Sequence, residues 1–286
     1  MQVGLIGTGN WGKHLARNFY DMGVLGALCD LRPEALFSDI PYYQDATILF
    51  QNEDITQIAI ATPPSTHYLL AKEALLAGKD VFVEKPLCFF VNEIKELIKL
   101  ANQKRKILMV GHLLHYHPCI SLLKETLRLG KLGEILSIQA TRTTPHQSNT
   151  AVLWDLGAHD VSLLLSFFDY PLTNITCEGT NNDCRLTLTF STSLQAQIFL
   201  STGQNRKEQK LVIVGSKSTA IFEANQVLTL KPGKSFHFNK EPLRQECDYF
   251  FNCCRTRKAP LTDGKEALRV IEVLQKAEEK MCFSLR

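Results

Sequence analysis

Short apolar segments alternate with segments of helical periodicity in the first part of the chain. The apolar segments are VGLI at 3–6, LGALCD at 25–30, QIAIAT at 57–62, DVFVEK at 80–85 and ILMVG at 107–111. Between them lie THYLLAKEALLAG and VNEIKELIKLANQ, in which apolar residues recur at the spacing of a helix. Alternating strands and helices predict a parallel sheet that helices cover on both faces.

The second part of the chain has the pattern of an antiparallel sheet. Its strand-like segments are EILSIQATRTT, CRLTLTF, LQAQIFLS, KLVIVG, TAIFE and QVLTL. In CRLTLTF the apolar residues Leu186, Leu188 and Phe190 alternate with Arg185, Thr187 and Thr189. This alternation predicts a sheet with one face under helices and the other open to solvent or a partner subunit. No linker rich in Gly, Ser or Pro separates the two parts, so we place the boundary near HYHPC and predict domains 1–118 and 119–286.

Composition and charge favour small partners over polymers. The chain of 286 residues is 45% hydrophobic and 21% charged, and its 32 Lys and Arg against 29 Asp and Glu give a net charge of +3. Neither a basic stripe nor an acidic tail indicates nucleic acid or a charged membrane surface. The start MQVGLIGTGN lacks the features of a signal peptide, and no apolar run reaches the length of a membrane span. We therefore expect a cytoplasmic protein.

The nine cysteines are scattered, with no C-x-x-C pair and no histidine at zinc-finger spacing. In a cytoplasmic protein this pattern predicts reduced thiols that serve packing. The histidines and acidic residues form no recognisable ligand set, so we expect no metal.

A glycine-rich segment, GLIGTGNWGKH, follows the first predicted strand and opens a helix. Gly7, Gly9 and Gly12 have the spacing G-x-G-x-x-G, which allows a tight turn, a close approach to a pyrophosphate and helix–strand contact. Asp30 ends the second strand 18 residues after Gly12, where a carboxylate can accept hydrogen bonds from an adenosine ribose. This favours NAD, while Arg32 leaves NADP possible.

Two further segments, ATPPSTHY and VEKP, end later strands of the same sheet. Both lie at the carboxyl edge, where open α/β folds bind ligands. Lys85 in VEKP is a candidate acid, base or hydroxyl anchor, or alternatively an ordinary surface lysine. His67 either lines the cofactor or only packs. The residues predicted to bind the cofactor are Gly7, Gly9, Asn10, Trp11, Gly12, Asp30, Arg32, Thr62, Pro63, His67, Glu84 and Lys85.

The segment VLWDLGAHDVSLLLSFF at 152–168 has helical periodicity and an unusual polar line. Asp155 and His159 stand one turn apart on this line, and the segment contains no Lys, Glu or Arg. The pair is either a buried structural unit or part of a ligand site. Asp160 points about 100° away around the helix and is expected to be structural.

These segments, in order, resemble the signature blocks of the Gfo/Idh/MocA oxidoreductase family. They are GLIGTGNWGKH, AIATPPSTHYLLAKEALLAGKDVFVEKPL, WDLGAHDVSLLL and DGKEALRVIEVLQKA. The resemblance implies an N-terminal Rossmann domain, an α+β domain with a large open, mostly antiparallel sheet, and NAD(P)-linked oxidation or reduction of sugar-like hydroxyls. It also implies catalytic roles for Lys85, Asp155 and His159, and a homodimer or homotetramer formed through the C-terminal sheet.

The block around Trp154 resembles the branch that acts on nucleotide-linked amino sugars, such as UDP-N-acetylglucosamine 3-dehydrogenases, because no Gly-Gly pair precedes Asp155. The predicted substrate-binding residues are Lys85, His115, Tyr116, Arg142, Trp154, Asp155 and His159, with His117, His146 and Gln147 as further polar candidates. Either His159 or Lys85 would be the base. A redox-neutral, NAD-dependent glycosidase of the same fold is the main alternative, and a catalytically silent dinucleotide sensor is another.

Overall fold

The structure is a computed structural model that describes residues 1–32, 36–146, 150–223 and 227–284, with side chains up to Met281. It divides into two compact units. The first contains Met1–Leu113 and Pro242–Leu268, and the second contains Leu114–Glu241 and Arg269–Arg286. The chain therefore enters the first unit twice, which a single boundary at 118 does not describe.

The returning segment joins the first unit through aromatic packing. Its main helix, α7 (Pro242–Thr256), places Phe250 and Phe251 inside the unit. The Phe250 ring lies 5.7 Å from that of Phe82, and the Phe251 ring lies 6.0 Å from that of Phe19. Burial of these large aromatic side chains stabilises the packing of α7 against the first unit.

The sheet of the first unit has the strand order of a Rossmann fold. Its strands are β1 (Gln2–Ile6), β2 (Leu25–Cys29), β3 (Tyr42–Tyr43), β4 (Ile55–Ile60), β5 (Asp80–Glu84) and β6 (Leu108–Gly111). All pairs are parallel, in the order β3-β2-β1-β4-β5-β6. The other helices are α1 (Gly12–Asp21), α2 (Ala46–Gln51), α3 (His67–Leu76) and α4 (Val91–Lys104). This confirms the predicted parallel sheet, and the order reverses between β1 and β4, where such folds bind ligands.

The second unit is built on a large mixed sheet. Its strands are β7 (Ile135–Thr144), β8 (Leu172–Gly179), β9 (Asp183–Phe190), β10 (Gln195–Thr202), β11 (Glu208–Gly215), β12 (Thr219–Glu223), β13 (Val227–Lys231) and β14 (Lys234–His237). The order is β14-β13-β12-β11-β7-β10-β9-β8. Among the strand pairs that the structure describes here, β7 with β10 is the only parallel one. Leu186, Leu188 and Phe190 are buried, whereas Arg185 is exposed. The predicted open, mostly antiparallel sheet is confirmed.

Three helices complete the second unit: α5 (Pro118–Arg128), α6 (Ala158–Phe167) and the part of α8 (Gly264–Ser284) that follows Leu268. Of the helices in the described ranges, none combines the length and apolar character that membrane crossing requires. The eight cysteines whose side chains are described are buried free thiols. Burial raises the pKa of the Cys29 thiol to about 11, which keeps it protonated at neutral pH.

Candidate functional site

The glycine-rich loop between β1 and α1 forms a tight cradle with one open side. Gly7 has φ +95°, and a Cβ atom there would lie 2.6 Å from the carbonyl carbon of Ala61. A Cβ atom on Gly12 would lie 2.0 Å from the carbonyl oxygen of Gly7. In contrast, a Cβ atom on Gly9 would meet no atom within 4 Å. The first and third glycines therefore close the turn, and the second leaves space on the side where a pyrophosphate would approach.

Asp30 is held rigidly just after β2, beside the same loop. Its Oδ2 accepts a hydrogen bond of 2.7 Å from the backbone N–H of Thr8, and its Oδ1 accepts one of 3.1 Å from that of Arg32. Partial burial opposes ionisation, but these hydrogen bonds hold the pKa of Asp30 below its ordinary value. Each carboxylate oxygen can accept a further bond, so an ionised, fixed Asp30 fits the hydroxyls of an adenosine ribose.

His67 is a buried residue that contacts the backbone at the carboxyl edge of the sheet. The side chain is fully buried, and its ring nitrogens lie 2.8 Å from the carbonyl oxygens of Pro86 and Thr62. Burial lowers its pKa. The ring thus ties together the segments that follow β4 and β5, which favours the packing alternative for His67. Thr62 is half-buried and Pro63 is exposed at this edge.

Glu84 at the end of β5 joins the glycine-rich loop to the predicted catalytic lysine. The indole N–H of Trp11 donates to its Oε1, and the backbone N–H of Lys85 donates to its Oε2 over 3.3 Å. Burial raises the pKa of Glu84 to about 7, although Trp11 and the charges of Lys85 and His112 oppose the rise. Lys85 itself is half-buried, and its peptide bond to Pro86 is cis. The carboxylate therefore orients the segments on both sides of it.

The second unit presents Asp155 and His159 at a change of helix type. A single helix was predicted for this segment, but the structure has a π-helical turn at Leu153–Gly157 that continues into α6. The N–H of Asp155 donates to Ala151 over 3.1 Å. Asp155, Leu156 and His159 are half-buried, whereas the other residues between Val152 and Val161 are buried. π-Helical turns are rare and occur frequently at functional sites, so the local geometry favours a ligand-facing role for the pair.

Several predicted substrate residues of this unit already have partners inside it. The indole N–H of Trp154 donates to Oε1 of Glu278 over 2.8 Å. Nε2 of His115 lies 2.7 Å from Oγ of Ser162. Both side chains are buried, with exposed fractions of 6% and 5%. These hydrogen bonds hold both side chains in place within the second unit, and they form without a substrate.

Arg142 makes the strongest of these internal contacts. Its guanidinium donates to both oxygens of Asp160, over 2.6 and 2.9 Å, and both side chains are buried. A bidentate arrangement of this kind is the strong form of an ion pair. An internal ion pair agrees with the structural role that the sequence predicts for Asp160, and it also uses the guanidinium of Arg142.

The remaining candidates divide by exposure. Tyr116 is buried, and His117 caps α5 by accepting the N–H of Cys119 over 3.1 Å. Burial lowers the pKa of His117 to about 4, so it is neutral at physiological pH. His146 is exposed, and Gln147 lies outside the described residues.

One buried carboxyl group of the first unit was not singled out in the sequence. Glu246 on α7 has no exposed surface. A signal for it exists, because Leu243, Glu246, Cys247 and Phe250 share one helical face, and the other three are buried apolar residues. The structure thus places the glycines, Asp30, Glu84 and Lys85 at one edge of the first unit, and Asp155 with His159 in the second.

Comparisons with known proteins find similar curated sequences over part of the chain. UDP-N-acetylglucosamine 3-dehydrogenase of Acidithiobacillus ferrooxidans is 27% identical over 171 residues, which are 58% of this chain and about half, 53%, of that relative. Inositol 2-dehydrogenase/D-chiro-inositol 3-dehydrogenase of Lacticaseibacillus casei is 27% identical over 242 residues, covering 75% of this chain and 70% of the relative.

Solved structures resemble the chain over nearly its whole length. The structure of the A. ferrooxidans UDP-N-acetylglucosamine 3-dehydrogenase has a TM-score of 0.91 at 21% identity and covers 100% of this chain and 99% of its own. Scyllo-inositol dehydrogenase from Lactobacillus casei, solved with bound NAD(H) and scyllo-inositol, has a TM-score of 0.86 at 16% identity and covers 99% of this chain and 97% of its own. At these identities the likeness establishes the fold.

Sequence models of one family match both units in order. Residues 1–112 match the oxidoreductase family model with an NAD-binding Rossmann fold, and residues 120–221 match the GFO/IDH/MocA C-terminal domain. The cradle at Gly9 and the fixed carboxylate of Asp30 fit NAD. The chain therefore belongs to the Gfo/Idh/MocA family of oxidoreductases and carries its NAD-binding Rossmann domain.

Proposed function

We propose that the protein is an NAD-dependent dehydrogenase that oxidises a ring hydroxyl of a nucleotide-linked amino sugar, as a UDP-N-acetylglucosamine-type 3-dehydrogenase. The observation that carries this proposal is the half-buried Lys85 beside the buried carboxylate of Glu84, at the carboxyl edge of an NAD-binding sheet. Two observations support a nucleotide-linked amino sugar as the substrate: the similarity to a UDP-N-acetylglucosamine 3-dehydrogenase, and the sequence around Trp154. NADP use stays possible because Arg32 is exposed next to Asp30.

In this proposal the catalytic side chains handle the proton and the orientation of the sugar. NAD supplies the acceptor for the hydride that leaves the ring carbon. As the C–H bond breaks, the hydroxyl proton passes to a base and the C–O bond becomes a carbonyl. His159 is suited to take this proton because histidine titrates near neutral pH. Lys85 polarises the reacting oxygen or serves as the base instead, and Asp155 orients His159 or binds a second hydroxyl.

Substrate contacts in this proposal come from Lys85, Asp155 and His159. Arg142, His115 and Trp154 support the site through their internal partners instead of touching the sugar. The open face of the large sheet, which includes the partly exposed Phe199, is proposed as the surface of a homodimer or homotetramer. The molar mass in solution, measured by light scattering, tests that part.

The test is the formation of NADH, followed by its absorbance, with a panel of substrates. The panel contains UDP-N-acetylglucosamine, its uronic acid, free sugars and inositols, with a transaminase and amino donor added to draw the equilibrium forward. We expect NADH with a UDP-sugar alone. NADH with an inositol but no UDP-sugar would overturn the substrate class. Release of free sugar without net NADH would point to a redox-neutral glycosidase.

A further inference from the structure

Glu246 is a buried carboxyl group that the fold does not satisfy. It lies on α7 with 0% of its surface exposed. Among the described residues, neither of its side-chain oxygens has a hydrogen-bond partner. Burial of an unpaired polar group is costly, and burial of a charged one costs far more. Because apolar residues surround it on its helical face, an apolar side chain would serve packing better.

Glu84 and Glu246 come from two elements that pack against each other. Glu84 shares a face of β5 with Phe82, Glu246 shares a face of α7 with Phe250, and the two phenylalanine rings lie 5.7 Å apart. Burial, and then the charge of Glu84, raise the pKa of Glu246 well above its ordinary value. Glu84 in turn fits closely against Gly111 on the neighbouring strand, where a Cβ atom would lie 2.9 Å from its Oε2. With Trp11 and the backbone N–H of Lys85 on its other sides, the carboxylate has a defined place.

The charged and titratable groups facing the pair come from four elements. Lys85 follows β5, and His112 follows β6 and bonds through Nδ1 to Oε2 of Glu266 on α8 over 2.6 Å. Cys247 lies beside Glu246 on α7, and burial together with the neighbouring carboxylates raises its pKa, so the thiol stays neutral. Lys85 and His112 thus favour ionisation of Glu84, whereas the charge that acts on Glu246 within the described ranges is the like charge of Glu84.

We propose that Glu84 and Glu246 form a buried pair that holds one proton at neutral pH and releases it when the positively charged, oxidised nicotinamide binds. The pair would thereby distinguish NAD+ from NADH by charge. Two carboxylates in one buried place cannot readily both ionise, so they lose their protons in two separated steps. The proton leaves to solvent, and no bond of the coenzyme changes.

The inference rests on the proposed function: Lys85 acts on the hydroxyl whose carbon gives its hydride to NAD, so the nicotinamide ring is expected beside Lys85. The oxidised ring carries one positive charge that the reduced ring lacks. A positive charge near a buried carboxyl group favours its ionised form. By linkage, binding of NAD+ therefore becomes tighter as pH rises, whereas binding of NADH does not gain in this way.

The experiment measures the dissociation constants of NAD+ and NADH from about pH 6 to about pH 9. Each proton that binding releases changes the affinity by up to about tenfold per pH unit. For the unaltered protein we expect the preference for NAD+ over NADH to rise throughout this range. For Glu246→Gln we expect the rise only on the acid side, where Glu84 titrates alone. Glu53→Gln, an exposed carboxyl group of the same unit, is the matched control and should follow the unaltered protein.

Superimposed curves for the unaltered protein and Glu246→Gln would overturn the proposal. If Glu246→Gln does not fold, the protonation of the pair is measured instead in the unaltered protein, by infrared difference spectra with labelled glutamate. The carbonyl band of a protonated carboxyl group should disappear on addition of NAD+ and persist with NADH, and a band that persists with both would contradict the pair. Neither measurement needs a sugar, so failure to oxidise any sugar would refute the proposed function alone.

Discussion

The two units differ in how their predicted site residues are used. In the first unit, Asp30 and Glu84 are held by backbone N–H groups at the edge of a parallel sheet. In the second unit, Arg142, His115 and Trp154 bond to other side chains of the same unit. Asp155 and His159 stay half-buried beside them.

The difference shows what a sequence pattern can specify. A glycine spacing constrains the backbone directly, so the cradle follows from local residues. Whether a polar side chain faces a ligand depends on partners far along the chain: Arg142 and Asp160 are 18 residues apart, and Trp154 and Glu278 are 124 apart. Residue type alone does not separate a substrate contact from an internal ion pair.

The largest expected effect comes from breaking the ion pair of the second unit. Arg142→Met leaves Asp160 buried without its partner and should lower the free energy of unfolding by about 3–5 kcal/mol, as measured in denaturant. Arg244→Met breaks an exposed pair with Asp248 and should cost less than about 1 kcal/mol. Native stability of Arg142→Met with a raised KM would instead make Arg142 a substrate contact.

The next effect concerns the proposed catalytic residues, one from each unit. Lys85→Ala and His159→Ala should each lower turnover by about a hundredfold or more, because each removes a group that acts on the reacting hydroxyl. Affinity for NAD, measured by fluorescence, should hardly change. Lys234→Ala and His237→Ala, at exposed positions on β14, are the controls. Near-normal turnover in both catalytic variants would remove these residues from the mechanism.

A smaller effect is the pH dependence of stability that Glu246 causes. Its pKa is raised on folding, so the folded state binds the proton more tightly than the unfolded state. The stability from this group is complete below the unfolded pKa of about 4.3 and is lost as pH rises through the folded value. Relative to the unaltered protein, Glu246→Gln should gain up to about 1.4 kcal/mol per pH unit in that window. Parallel profiles of thermal stability would show that Glu246 does not titrate there.

The smallest effect separates two glycines of one loop. Gly9→Ala should keep native thermal stability, since its Cβ atom meets nothing, but should weaken NAD binding about tenfold by crowding the pyrophosphate. Gly7→Ala should destabilise the fold itself, because φ is +95° and the backbone of Ala61 is too close. Unchanged NAD affinity in Gly9→Ala would place the pyrophosphate elsewhere.

Much of the fold follows from the sequence, because strand and helix periods are local. The apolar segments at 3–6, 57–62 and 80–85 correspond to β1, β4 and β5, and the spacing around Gly7 predicts the loop. The return of α7 to the first unit does not follow, since an amphipathic helix does not specify which sheet it covers. The π-helical turn at Leu153–Gly157 also escapes prediction, because its residues keep a helical pattern.

Transfer of deuterium from the sugar to the coenzyme tests the proposed dehydrogenase reaction itself. UDP-N-acetylglucosamine labelled with deuterium at carbon 3 is incubated with the protein and NAD, and the coenzyme is analysed by mass spectrometry. We expect deuterium to appear in NADH, and Lys85→Ala and His159→Ala to slow its appearance. NADH without deuterium would place the oxidation at another carbon, and the absence of both NADH and label would contradict a nucleotide-sugar dehydrogenase.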